Sequence, residues 1–200
     1  MTERVRNLHL IPGVSASGKT TMARYMSGVV AGAEVSIGYT TRPPRDGEVE
    51  GRDYYFRDAE HHEKMMANPQ GGWKSSDIGF YKYYSPDSNV IPTDKTPVRI
   101  LPVAYSALRD VERDYRPVIG DGLITIVPIV IDKAMQTAWL ERMQPLRPQR
   151  DLQQELEEQD RVLRENSFDA TFVPSWQGAL DGQRYANLYR SIIEARRKNI

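Results

Sequence analysis

Two short stretches of this chain combine residue types that together do phosphate chemistry. The first is GVSASGKT, Gly13 to Thr20. It fits the spacing G-x-x-x-x-G-K-[ST], with an apolar run before it and an amphipathic run after it. Gly13 and Gly18 let the backbone wrap an anion without Cβ clashes. The amides from Ser15 through Ala16, Ser17, Gly18, Lys19, Thr20 and Thr21 then converge on a phosphate at a helix N-terminus. Lys19 reaches the outer phosphates as a cation, and the Thr20 hydroxyl can take one place on Mg²⁺. The alternative is a glycine-rich turn that only joins strand to helix, and the strand–loop–helix context argues against it. A nucleoside triphosphate, ATP with Mg²⁺, is the ligand this spacing implies.

The second stretch is TTRPPRDGEVEGRDYYF, Thr40 to Phe56. It is too polar for a buried strand and too varied for a flexible linker. Arg42 and Arg45 are braced by Pro43 and Pro44, whose rings restrict φ. Arginine forks suit a phosphate better than lysine does, and a tyrosine hydroxyl adds a further hydrogen bond. The plain alternative is a solvated charged loop.

The rest of the chain supplies elements to position these groups. Asn7–Ile11, the EVSIG segment, Val98–Val103, Leu123–Ile131 and ATFV (170–173) read as strands, with Pro128 interrupting the most apolar of them. Helical patterns follow the first glycine loop, with Met22, Tyr25, Met26 and Val29 on one face. They recur over Asp58–Ala67 with Asp58 as N-cap, after Val103, after Ile131, and at the C-terminal end. From Asn68 to Pro97 the composition fits a loop or a small sheet inserted in the fold. Strands alternating with helices argue for an α/β fold with a parallel sheet covered on both faces.

Composition bounds the function. Lys+Arg and Asp+Glu are equal at 27 each, so nothing global favours nucleic acid. Cysteine is absent, which excludes disulfides and cysteine-ligated zinc. No run is apolar and long enough for a signal peptide or a membrane span, so a cytoplasmic protein, monomer or homodimer, is expected. His61 and His62 are adjacent and face different sides of a helix, so they suit no shared metal. His9 reads as a core or edge residue, and the tryptophans as packing residues.

The Tyr39–Phe56 stretch resembles the guanylate kinase signature. Thr40, Thr41, Arg42, Arg45, Gly47, Glu48, Gly51, Asp53, Tyr54 and Phe56 carry the likeness, with the phosphate loop at the expected distance upstream. The resemblance implies a P-loop core (1–35 and 98–200), an acceptor-binding subdomain (36–97) and a helical lid (about 142–165). It implies that Arg42, Arg45 and Tyr54 hold the acceptor's phosphate, with Tyr81 as the second tyrosine and Tyr83 as its near alternative. Lys19, Arg42 and the lid arginines Arg147 and Arg150 are the implied catalytic cations, with Arg142 in the same stretch. The implied activity is transfer from ATP to GMP or dGMP.

The departures fall on the base-reading half. Gly38 stands where the family has a guanine-contacting serine, Gly72 where it has a glutamate, and Pro102 and Ala104 where it has aspartates. Asp77 is a nearby carboxylate, and a glutamate restored at position 72 is expected to raise preference for GMP. The family's later lid arginine falls near Gln154 and Glu155, with Arg161 on the same helix. These gaps leave open another phosphorylated acceptor, such as another deoxynucleotide or a phosphosugar like ribose bisphosphate. A non-catalytic binding module is disfavoured by Lys19.

Overall fold

A computed structural model describes residues 6–120, 123–146, 151–175 and 179–198. The first strand, β1 (Asn7–Pro12), is buried along its whole length, as expected of a strand covered on both faces. The phosphate loop follows and leads into α1 (Lys19–Val29). Met22, Ala23 and Met26 are buried there, while Tyr25 is only partly so and Val29 is exposed. The core continues with β2 (Ala33–Val35) and leaves for a second sheet.

That second sheet is built from β3 (Tyr39–Thr40), β4 (Tyr55–Phe56), β5 (Lys74–Ile78) and β6 (Tyr81–Ser85) in the order β4-β3-β6-β5. Helix α2 (Ala59–Met66) lies between β4 and β5 in sequence, capped by Asp58, whose carboxylate accepts the His61 N–H at 2.8 Å. An aromatic cluster holds this unit together, with Tyr39 packed against Tyr55, His61, Trp73 and Tyr84. His61 and His62 are bonded to Tyr84 and Ser75, so both histidines serve this small sheet. The segment read as a loop or small sheet is a sheet, because its tyrosines pack as cross-strand neighbours.

A short helix, α3 (Asp87–Val90), returns the chain to the core strand β7 (Val98–Val103). Then come α4 (Tyr105–Ile119), β8 (Ile124–Ile126), α5 (Lys133–Met143), α6 (Leu152–Glu165) and α7 (Ala179–Lys198). The core sheet is parallel, in the order β2-β7-β1-β8. One face packs Met22, Met26, Tyr185 and Tyr189 from α1 and α7. The other packs Leu108, Tyr115, Trp139, Leu152 and Leu156 from α4, α5 and α6.

Two expected strands are shorter than their apolar runs. Leu123–Ile131 forms regular strand only over Ile124–Ile126, then continues past Pro128 as single bonds from Val127 to Leu10 and from Ile129 to Pro12. Proline offers no N–H to the ladder. The ATFV segment contributes one bridge, Phe172 to Ile129. Two polar residues of β1 are tied to tyrosines of α7. Asn7 donates to the Leu123 carbonyl and Thr125, and accepts from Tyr189. His9 is fully buried beside Tyr185, whose hydroxyl donates to the Val127 carbonyl at 2.6 Å.

Candidate active site

The phosphate loop has the conformation its glycines imply. Gly18 has φ 95° and Ala16 has φ 58°, so two residues turn left-handed where the amides must converge. A Cβ on Gly13 would lie 3.2 Å from the Ile129 carbonyl and 3.2 Å from the Lys19 side chain. Glycine is therefore required there for close approach. Lys19 lies over the start of the loop, with Nζ donating to the carbonyls of Gly13 at 3.0 Å and Val14 at 2.7 Å. Ser17 Oγ is buried and unpartnered, and Thr20 and Thr21 are exposed at the helix N-terminus. The loop thus combines left-handed turns at Ala16 and Gly18, a cation and an exposed hydroxyl that suits a metal already carried by phosphates.

The arginine stretch forms a second anion site facing this loop. Arg42 is only 4% exposed. Its fork grips Glu48 through two bonds of 2.6 Å, while Nη1 also donates to the Pro43 carbonyl and Nε donates to the Tyr83 hydroxyl at 3.2 Å. Of five guanidinium N–H groups, these bonds use four, leaving one for a ligand. Glu48 also accepts the Arg45 backbone N–H at 2.8 Å, which shapes the turn that carries Arg45. Burial works against the Glu48 charge, but Arg42 and that N–H outweigh it and hold the carboxyl below its ordinary range. Burial likewise opposes the Arg42 charge, and Glu48 more than restores it.

Tyr54 packs against the guanidinium of Arg42, 5.1 Å from ring centroid to Cζ, and edge-on to Tyr83. Burial, with Tyr83 nearby, pushes the Tyr54 hydroxyl up to about 12, so it remains protonated and able to donate. Because Tyr83 accepts from Arg42, its own O–H is left to donate as well. Asp53 ties this loop to the core helix through Arg24, and also holds Arg52 and the Val49 amide.

One cleft of about 440 Å³ joins the two anion sites. Ser15, Ala16, Gly18, Lys19, Thr20 and Thr21 line one end, and Arg42, Arg45, Tyr54 and Tyr83 line the other. Gly13 and Ser17 support the loop from behind. Tyr81 is not in the lining; it is 38% exposed near the hairpin end of β6, and Tyr83 stands beside Arg42 instead. Arg147 and Arg150 lie outside the described residues. Arg161 pairs with Glu158 on the surface of α6 and does not line the cleft.

A third region of the cleft is mostly apolar. Val35, Ile37, Leu101, Pro102, Ala104 and Val111 line it, with Gly38 at its edge. Asp77 does not reach it; the carboxylate pairs with Lys82 at 2.8 Å and is 64% exposed. The polar groups here include the Asp114 carboxylate, which accepts from Arg113 at 2.9 Å, and hydroxyls that the sequence did not single out. Ser36 and Tyr115 line the cleft, are 6% and 2% exposed, and carry unpartnered hydroxyl oxygens. Ser85 Oγ lies 2.9 Å from where a Cβ on Gly38 would stand, so a neighbouring strand fills the space a serine at 38 would take. At Gly72 the backbone has φ 56°, and a Cβ would stand 2.5 Å from Asp87 Cγ. A glutamate at 72 therefore meets both an unfavourable backbone and an occupied space.

Comparison with known proteins agrees with this geometry. The guanylate kinase family model matches residues 6–72, which hold the phosphate loop and the arginine clamp. A guanylate kinase of Rhodopseudomonas palustris is 41% identical over 64 residues, covering 32% of this chain and 29% of that protein. One of Neisseria meningitidis is 30% identical over 129 residues, covering 64% and 58% respectively. Matches to the first relatives thus span 29% to 58% of their lengths. The crystal structure of guanylate kinase from Anaplasma phagocytophilum superposes with a TM-score of 0.67 at 18% identity, over 94% of this chain and 87% of that one. The chain is similar to guanylate kinases in the residues that build both anion sites, and it shares their fold.

Proposed function

We propose that this protein transfers the γ-phosphoryl group of ATP to the phosphate of a nucleoside monophosphate, GMP or dGMP, with Mg²⁺, in the cytoplasm. The observation that carries this reading is the single cleft with a phosphate loop at one end and an arginine–tyrosine clamp at the other. Arg42, Arg45, Tyr54 and Tyr83 orient an acceptor phosphate toward the loop. Lys19 neutralises charge on the transferring group. No side-chain nucleophile is needed, since the acceptor phosphate attacks and the protein contributes positioning and electrostatics. Thr20 is the residue that would hold the metal, which would supply charge neutralisation. Arg142, Arg147 and Arg150, in the stretch that leads into α6, are the proposed lid cations. Among the described residues no helix is long and apolar enough to cross a membrane.

A second reading has its own observation. Gly38, Pro102 and Ala104 bring no carboxylate to the region beyond the clamp, and the Asp114 carboxylate that lines it already pairs with Arg113. Strong discrimination comes from polar groups left unpaired by the wrong ligand. GMP is then accepted without strong preference over other monophosphates or a phosphosugar. The test is ADP release with GMP, AMP, their deoxy forms and a pentose phosphate, with Lys19→Ala as the inactive control. A GMP preference above about a thousandfold, ~4 kcal/mol, refutes the second reading. Turnover by Lys19→Ala near that of the unmodified protein refutes the first.

A further inference from the structure

Helix α6 is fixed on the core at its N-terminal half. Leu152 and Leu156 are buried, and Gln159 is fully buried. The Gln159 amide accepts the Ile131 N–H at 2.9 Å and donates to the Ile131 carbonyl at 2.8 Å. This anchor sets the position of Glu155, one turn earlier. The Glu155 carboxylate reaches the phosphate loop, accepting the Ser15 N–H at 2.6 Å and the Ser15 hydroxyl at 2.8 Å.

That contact places a negative group at one particular end of the loop. Lys19 Nζ rests on the carbonyls of Gly13 and Val14, immediately before Ser15. The lysine of such a loop reaches the outer phosphates of the donor. The loop's start is therefore the end where the terminal phosphoryl stands, and Glu155 holds an amide and a hydroxyl there. Two anions sharing that end repel each other, and the partly buried setting screens them less than bulk water would.

We propose that Glu155 is a specificity-determining residue for the donor: it holds the terminal-phosphate end of the loop and weakens a nucleoside triphosphate relative to the diphosphate. The diphosphate leaves the Glu155–Ser15 contact in place. The triphosphate crowds it, so that its arrival loosens the first turn of α6 from the loop. This inference rests on the loop binding nucleotide, as in the reading above.

The experiment measures Kd for ATP and for ADP by calorimetry on the full chain, with Glu155→Gln and Ser15→Ala. Glu155→Gln keeps an acceptor for the amide and removes only the charge. It is expected to raise the ATP-to-ADP affinity ratio roughly tenfold, the size of a partly screened like-charge contact. Ser15→Ala removes the hydroxyl half of the contact from the loop side and is expected to move the ratio the same way, by less. A purely structural role for Glu155 would change both affinities together and leave the ratio alone. A ratio unchanged within twofold in both variants, or a fall, overturns the proposal while leaving the kinase reading intact. Failure of the unmodified protein to bind either nucleotide overturns both. Should Glu155→Gln not fold, Ser15→Ala alone decides by the same ratio.

Discussion

Arg42 and Arg45 look equivalent in the sequence, and the structure separates them. Arg42 is 4% exposed and donates four bonds, two of them to Glu48, which is itself 18% exposed. Arg45 is half-buried at the cleft wall, and its backbone N–H donates to Glu48. Arg42→Ala strips a carboxylate of its partner in a largely dry site, a loss of ~3–5 kcal/mol. For a chain of this length each kcal/mol lowers Tm by about 2–4 °C. Arg42→Ala is therefore expected to lower Tm by roughly 6–20 °C, and Arg42→Lys by somewhat less, since an ammonium cannot reproduce the fork. Arg45→Ala is expected to lower Tm by less than Arg42→Ala does, since the Arg45 side chain is half-buried while that of Arg42 is 4% exposed. Its effect appears in kinetics: acceptor kcat/KM falls roughly ten- to a hundredfold, equivalent to ~1.5–3 kcal/mol for a charge-assisted bond. The KM for ATP stays unchanged. Scanning calorimetry gives the first comparison and coupled ADP release the second. Equal Tm for Arg42→Lys and the unmodified protein would refute the structural role given to the Glu48 pair. A normal acceptor kcat/KM in Arg45→Ala would remove Arg45 from the acceptor site.

Tyr115→Phe deletes a buried hydroxyl that has no protein partner, so it is expected to raise stability by about 1 kcal/mol while lowering acceptor kcat/KM roughly two- to tenfold. A rise in Tm with unchanged acceptor kinetics would show that the hydroxyl faces no ligand. Gly72→Glu is expected to lower Tm by roughly 2–8 °C, from ~1–2 kcal/mol of left-handed backbone strain, with no gain in GMP preference; a gain in that preference would show that the Asp87 carboxylate yields the space. Burial lowers the pKa of His9 to about 3 from an ordinary 6.5. Between those values the unfolded chain takes up a proton that the fold refuses, so stability falls as pH drops from 6.5 toward 3. Glu48 adds a loss of the same sign at lower pH, because the stability from its depressed folded pKa is complete above the ordinary carboxyl value of 4.5 and is lost as pH falls below it toward the folded value. His62, whose pKa burial also lowers, adds a loss of the same sign below its ordinary 6.5, so the test is urea unfolding between pH 7 and 5 with and without His9→Gln, and a flat profile, or one that His9→Gln leaves unaltered, would contradict the assignment.

What the sequence makes legible here is local, and what it hides depends on register and distance. The phosphate loop and the stretch from Thr40 to Phe56 are contiguous, so residue type and spacing alone carry their chemistry. Tyr81 and Tyr83 illustrate the limit. They are two apart on one strand and so project from the same face, and only the pairing of Thr40 with Tyr83 decides which stands beside Arg42. That pairing belongs to the tertiary structure. Tyr115 is hidden differently: Leu108, Val111 and Tyr115 recur at helical spacing, a pattern that reads as core, and Tyr115 is indeed in the core as well as on the cleft wall. Glu155 is hidden most thoroughly, since it sits among Glu157, Glu158 and Asp160 in a helix whose charges read as a solvated face. What sets it apart is the neighbouring Gln159, a polar side chain with no exposure at all, pinned to the Ile131 backbone. A buried glutamine flanked by Leu156 and Val162 fixes the rotation of the helix, and that rotation turns one carboxylate out of several onto Ser15.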